Sequence, residues 1–272
     1  MPRRKATVIA PPRDTSSDEA ALRALYRKDP SRILPNPLWK TVARLQSLEC
    51  RFISDGAQVT GVELREPGKL LIYGTRTQDP LKAASVKLDG VPTVYIHNDF
   101  VAPLAPWFDH KEAVFRMLHT GSELPLRATI HGYAVREVDM ATELPLVATI
   151  LHACYDTPTP GVDEISTWTR LPVFDARTWL WIVDRKEKRP VACGIADVDL
   201  STGEGCLERI QVLPAFRGIG LGTMLVQELV YRLEQKVSFT TVAGQVKNSC
   251  EPEHLFRRCG FAGRDVWWIL RR

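Results

Sequence analysis

Leu213-Pro214-Ala215-Phe216-Arg217-Gly218-Ile219-Gly220-Leu221-Gly222-Thr223 decides the reading of this chain. Apolar Ile210 and Val212 enter it as a strand, and an amphipathic helix from about Gly220 to Glu234 leaves it. Glycines at alternate positions remove side chains, so several backbone N–H groups can converge on one anion. The unpaired donors and positive dipole end of the following helix point to the same place. The stretch reads as a diphosphate site.

Two common phosphate loops are excluded. A P-loop needs Lys and then Ser or Thr after its last glycine, whereas Gly222 is followed by Thr223-Met224. A dinucleotide fingerprint has its third glycine three residues after the second. Thr223 stands there instead, and no acid ends a second parallel strand about 20 residues on. The pattern Arg217-x-x-Gly220-x-Gly222, after a strand ending in Val-x-Pro, resembles motif A of the GNAT superfamily of acyl-CoA N-acyltransferases.

The neighbours extend that resemblance. Glu204 to Leu213 reads as the strand before the motif, and β-branched Val237 to Val246 as the next parallel strand. Asn248, a helix around Glu253-His254-Leu255-Phe256-Arg257-Arg258, and Cys259-Gly260-Phe261 are similar to the family's "Asn, then Leu-Tyr, then Gly-Phe" signature. Upstream, Tyr133–Val138 reads as a strand, Ala141–Tyr155 and Val162–Thr169 as helices, and Trp179–Asp184 with Pro190–Asp199 as a hairpin. This gives β-α-α-β-β-β-α-β-α-β over Gly132 to Arg272, the family order. The implied class is α/β (α+β): a GNAT-like mixed central sheet flanked by helices, with an additional N-terminal α+β domain open to reading as a degenerate GNAT-like copy.

The expected organisation is a flexible tail (1–17), an N-terminal α+β domain (18–125) and an acetyltransferase domain (130–272). In the first half, Asp18–Lys28, Leu38–Cys50 and Lys111–His119 have helical character. Arg51–Leu64, Leu70–Thr75 and Thr93–His97 read as strands, and Thr120–Arg127 as a linker. There is no second Arg-x-x-Gly-x-Gly, so a copy here has lost coenzyme binding. A substrate lid or a dimerisation surface (a homodimer) are the roles left open to this half.

With 272 residues, 44% apolar and 25% charged, the chain is globular with an ample core. No apolar run reaches the roughly 18 residues of a membrane span. No apolar segment of about 7–15 residues follows the basic start Met1-Pro2-Arg3-Arg4-Lys5, so a secretory signal is not expected. A net charge of +4 suits anionic CoA and does not itself argue for nucleic acid. Cys50, Cys154, Cys193, Cys206, Cys250 and Cys259 form no C-x-x-C pair and read as reduced cytoplasmic thiols. His97, His119 and His131 read as surface or core residues, and no metal is expected.

By resemblance, acetyl-CoA is the co-substrate. Backbone N–H groups of Gly218, Ile219, Gly220, Leu221, Gly222 and Thr223 would hold its diphosphate, with Arg217 shaping the turn or meeting a phosphate. Ile210 and Val212 lie on a strand that splays from its neighbour and pairs with the pantetheine arm, and an N–H near Val212 would stabilise the oxyanion. Strand alternation places Glu208 on one face with Ile210 and Val212, and a glutamate four residues before the oxyanion-hole residue is the base in several relatives. The plainer role for Glu208 is a pair with Arg209 or Arg257. Asn248 is expected to contact pantetheine or a phosphate.

The general acid departs from the family pattern. Phe256 stands where a Tyr is common, Asn248 lies seven residues before Leu255 where six is usual, and Pro252 sits in the first helical turn. Cys250, Ser249 or release of the thiolate into water are the substitutes. Tyr155, Asp156, Asp163, Glu164 and Trp168 would suit a cationic acceptor, while Trp179, Trp181, Trp267 and Trp268 read as core. The resulting expectation is acetyl transfer to a primary amine, on a small molecule, an aminoacyl group or a protein, in a ternary complex. The alternative is a non-catalytic acyl-CoA-binding or sensing protein. A scaffold with a dead site fits poorly with intact glycines.

Overall fold

Leu221, Leu225, Leu229 and Leu233 recur every four residues after the glycine loop, and all four are buried. That spacing aligns them on one side of a helix, which lies flat on a sheet. Gly194 lets it approach closely, since a Cβ there would sit 2.8 Å from Leu225. The computed structural model of the protein describes residues 14–77, 88, 90–121, 127–155, 159–248 and 250–272. The expected tail up to residue 13, the middle of the expected linker, Asp156 and Ser249 fall outside the described residues.

The helices are α1 (Ser16–Tyr26), α2 (Pro30–Ile33), α3 (Leu38–Val42), α4 (Leu144–Cys154), α5 (Val162–Trp168), α6 (Leu221–Glu234) and α7 (Pro252–Arg258). The strands are β1 (Glu49–Asp55), β2 (Gln58–Glu66), β3 (Leu70–Thr75), β4 (Thr93–His97), β5 (His110–His119), β6 (Tyr133–Glu137), β7 (Trp179–Asp184), β8 (Arg189–Asp199), β9 (Glu204–Val212), β10 (Phe239–Gln245) and β11 (Ala262–Arg271). They form one mixed sheet in the order β1-β2-β3-β4-β11-β5-β10-β9-β8-β7-β6. The class is the expected one, a GNAT-like mixed sheet flanked by helices with an extra N-terminal α+β part.

The two halves repeat one strand plan. β2 and β3 pair antiparallel and β3 and β4 parallel, as β8 and β9 pair antiparallel and β9 and β10 parallel. Each set is closed by the last strand of the other half. β11 pairs antiparallel with β4, and β5 pairs antiparallel with β10. The exchanged strands then pair with each other at the centre of the sheet.

Two expectations for the first half are corrected. Lys111–His119 is the central strand β5 and not a helix. Leu38–Cys50 is helical only as α3 and a short turn at Leu45–Ser47, after which β1 begins at Glu49. Trp179, Trp181 and Trp267 are buried as expected, while Trp268 packs half-buried with its indole N–H on Asn98 at 2.9 Å. His97 and His119 are core residues, and among the described residues no helix is long and apolar enough to cross a membrane.

The faces of the sheet differ. α6 and α7 cover one side of the second half together with Phe115, Met117, Leu207 and Ile210. The other side carries α1–α3 over the first half, with Leu22, Tyr26, Leu38 and Trp267 in one cluster. α4 and α5 continue that side over Trp179, Trp181, Cys193 and Ile195. The N-terminal helices and the α4–α5 pair therefore flank the same stretch of β9.

Candidate active site

β9 and β10 are paired only from Glu204–Leu207 to Phe239–Val242. Beyond that point β10 continues its bonds to β5 and β9 its bonds to β8, so the two inner edges part. The opening is a cleft of about 560 Å³. Its walls are Leu207–Gln211 on one side and Val242–Gln245 on the other, with Tyr155, Arg217, Asn248 and Cys250 at its margins. An unpaired strand edge inside a cleft offers a row of N–H and C=O groups to an amide-bearing chain.

At one end of the cleft lies the glycine loop. Gly218 (φ 81°) and Gly220 (φ 93°) have left-handed backbones that L side chains rarely adopt, and Gly220 caps α6. The first intrahelical bond is from the Met224 N–H to the Gly220 carbonyl at 3.1 Å. The N–H groups of Leu221, Gly222 and Thr223 thus precede the helical ladder and face the helix entrance. Arg217 donates its Nε to the Val212 carbonyl at 3.0 Å, which fastens the turn to the end of β9. Ile219 is exposed on the loop, and Ile210 and Val212 pack toward α6.

At the other end stands Glu208, and here alternation fails. The register between β8 and β9 slips so that Ile195 faces Arg209 and Ala196 faces Leu207, leaving Glu208 as the extra residue of a β-bulge. Leu207 and Ile210 consequently both pack on the α6 side. Glu208 joins Glu204 and Cys206 on the opposite face, and the expected shared face with Ile210 and Val212 is not formed. It lines the cleft from that bulge.

Glu208 is not alone. Lys40 of α3 places its Nζ 2.6 Å from both carboxylate oxygens, and the Cys206 thiol donates to Oε1 at 3.4 Å. Of the expected alternatives, Arg209 lies at the margin (3.9 Å), and Arg257 instead pairs with Glu253 on α7. Burial pushes Glu208 up, but the charge of Lys40 and its hydrogen bonds outweigh this and hold the carboxyl below its ordinary range. Burial and the charge of Glu208 push neighbouring Asp197 well above the usual carboxylate range. Lys40 and its neighbour Trp39 were not legible as site residues, because 168 residues of sequence separate Lys40 from Glu208, and Asp197 joins them only through the pairing of β8 with β9.

Trp39, Lys40, Trp168, Asp197 and Arg209 line a second, smaller cavity of about 190 Å³ that shares Glu208 with the cleft. Trp168 stacks under Arg209 at 5.5 Å, and Glu164 is at the rim. Tyr155 is separate from this pocket: its hydroxyl accepts from Gln211 Nε2 at 2.6 Å on the cleft wall. Asp163 is exposed on α5 and lines neither cavity.

The region after β10 differs locally from a plain helix start. Asn248 Oδ1 accepts from the Cys250 N–H at 2.9 Å, and Glu251 takes a left-handed conformation (φ 44°) before Pro252 opens α7. This turn absorbs the extra residue noted in the sequence. Phe256 is buried against Phe115 and Phe261, so its ring serves the core. Cys250 is exposed at the cleft margin. No group of three or more potential metal ligands is found among the described residues.

A family model described as an acetyltransferase (GNAT) domain matches residues 176–262. Among solved structures, the chain is similar to a GCN5-related N-acetyltransferase from Sphaerobacter thermophilus (TM-score 0.66, 13% identity, 93% of this chain and 91% of that one). It is also similar to a GNAT-family acetyltransferase from Colwellia psychrerythraea (0.61, 11%, 96% and 98%) and to a tandem GNAT protein from the clavulanic acid biosynthesis pathway (0.55, 13%, 95% and 95%). At these identities the likeness is one of fold, and it spans both halves. No curated protein sequence matches the chain. The glycine loop, the splayed strands and the family match all fall on the same stretch, and the C-terminal half of this chain carries a GNAT-superfamily domain.

Proposed function

We propose that the protein transfers an acetyl group from acetyl-CoA to a primary amine by direct attack in a ternary complex. The observation that carries this reading is the parting of β9 from β10, with the glycine loop at one end of the opening and Glu208 on its bulge at the other. The residues present fit the coenzyme. Gly218 to Thr223 would hold its diphosphate at the start of α6, the free edges of Ile210 to Val212 and of β10 would pair with the pantetheine amides, and Asn248 would contact the same arm.

Glu208, kept ionised by Lys40, would take the proton of the attacking amine, and an N–H near Val212 would stabilise charge developing on the carbonyl oxygen. Cys250 is the nearest equivalent of the missing tyrosine and would return a proton to the leaving thiolate. The small cavity beside Glu208 is the acceptor pocket in this reading, with Trp168 in its wall and Tyr155 oriented by Gln211. Six cysteines with no C-x-x-C pair support a reducing, cytoplasmic setting.

Calorimetric titration of acetyl-CoA tests the reading. Wild type should bind, and Gly220→Glu should not. Its carboxylate would repel the diphosphate, and its Cβ would strain a φ of 93° and approach Ile130 to 3.3 Å. Absence of binding by wild type would sink the assignment. Coenzyme binding with Glu208→Gln unchanged in every acyl-transfer assay would favour the sensing alternative.

A further inference from the structure

The ε-ammonium of Lys40 lies 2.6 Å from both oxygens of the carboxylate that faces the coenzyme cleft. It also lies 5.5 Å over the ring of Trp39. A base and an aromatic wall around a primary ammonium are what an amine acceptor requires, and the chain itself places one there. The lysine stem is a flexible four-carbon chain, and the carboxylate its Nζ touches lines both the cleft and the smaller cavity. Its side chain is one-third exposed, so it is not locked in the core.

We propose that Lys40 is a self-acetylation site, with the side chain occupying the place of the external acceptor amine. Glu208 takes one proton from the ammonium. The freed Nζ forms a bond to the acetyl carbon, the thioester C–S bond breaks, and CoA leaves with the electron pair and is protonated to the thiol. The balance is one lysine ammonium and one acetyl-CoA giving one acetyl-lysine, one CoA thiol and one proton. No oxidant, metal or further reactant enters. The product is uncharged and cannot ion-pair with Glu208, so each modified chain loses the link between α3 and the bulge. The inference rests on Glu208 as the base of the acyltransferase reading.

The experiment is incubation of the full chain with acetyl-CoA, followed by intact mass and peptide mapping, beside calorimetry of the same samples. One added acetyl group (about 42 Da) mapped to Lys40 is expected, at a rate independent of protein concentration. Glu208→Gln should slow it at least tenfold, and Lys40→Arg should remove it. A second readout needs no coenzyme: competitive labelling with acetic anhydride should mark Lys40 more slowly than exposed lysines, and several-fold faster in Glu208→Gln, whose carboxylate no longer holds the ammonium. Coenzyme binding with Lys40 unmodified overturns this inference and leaves the acyltransferase reading standing. Equal modification of Lys40 in wild type and a coenzyme-binding Glu208→Gln also overturns it, as chemical acetylation. Absence of coenzyme binding overturns both.

Discussion

Arg116 of β5 and Glu204 of β9 meet at 3.3 Å across the width of β10, with both side chains fully buried. The Glu204 carboxylate also accepts from Tyr26 Oη at 2.7 Å, Thr241 Oγ1 at 2.6 Å and the Leu38 N–H at 3.2 Å. One carboxylate therefore ties α1 and the start of α3 to the sheet that carries the cleft. Lys40 reaches Glu208 because this anchor fixes α3.

Removing one member of that cluster strands a buried charge. Arg116→Met is expected to cost about 3–5 kcal/mol, and Tyr26→Phe, which deletes a hydroxyl that donates to Glu204 and accepts from Arg116, about 1.5–3 kcal/mol. Urea unfolding of the two variants against wild type measures both. A loss below about 1 kcal/mol for Arg116→Met would show that the cluster is not an anchor.

The pair at the site sets a charge state. With Lys40 replaced by Met, burial still raises the Glu208 pKa while the largest compensating charge is gone, so it should climb. Carbon-13 NMR of labelled glutamate carboxyls reads this directly, without an acceptor. The sign for stability follows: a folded pKa below the ordinary value gives stability that is present above that value and lost as pH falls through the folded one. Lys40→Met should remove that acid-side loss. An unchanged titration would mean that Arg209 and Cys206 hold the charge by themselves.

Cys250 and Tyr155 are two proton donors in the lining of the cleft. If Cys250 protonates the leaving thiolate, Cys250→Ala should lower kcat by about 10²-fold with KM for acetyl-CoA little changed. Tyr155→Phe should chiefly alter acceptor KM. The reverse pattern, in a thiol-release assay, would move the acid role to Tyr155.

Much of the second half was legible because local chemistry dictates it. Gly218 and Gly220 do adopt the left-handed backbone their loop needs, and β7, β9 and α6 fall within a residue or so of their expected bounds. The errors have physical causes. Ala113, Val114, Phe115, Met117 and Leu118 form a nearly continuous apolar run in β5, flanked by strands on both edges and covered on both faces. Such a run shows neither the two-residue nor the helical period cleanly. The bulge at Glu208 is set by packing of β8 on β9, and Lys40 by the buried cluster around Glu204. Neither leaves a mark in its own neighbourhood.

Glu143 shows how the α4–α5 pair is held over the sheet. It stands at the N-terminal boundary of α4, and its carboxylate accepts two bonds from Arg136 (2.7 and 2.6 Å), one from the Asp139 N–H (2.9 Å) and one from the Trp181 indole (2.9 Å). The Arg136 bonds, with the other two donors, pull its pKa down to about 2. Since the folded value lies below the unfolded 4.5, the ionised form stabilises the fold above that value. The contribution drains away as pH falls from about 4.5 toward 2. After discounting for solvent at the rim, it amounts to about 1–2 kcal/mol. Glu143→Gln should therefore be less stable than wild type at pH 7 by about that amount, with the two curves converging near pH 2. Intrinsic tryptophan fluorescence during urea unfolding at a series of pH values measures the difference. Parallel curves across that window would mean that Glu143 acts through shape and not through its charge.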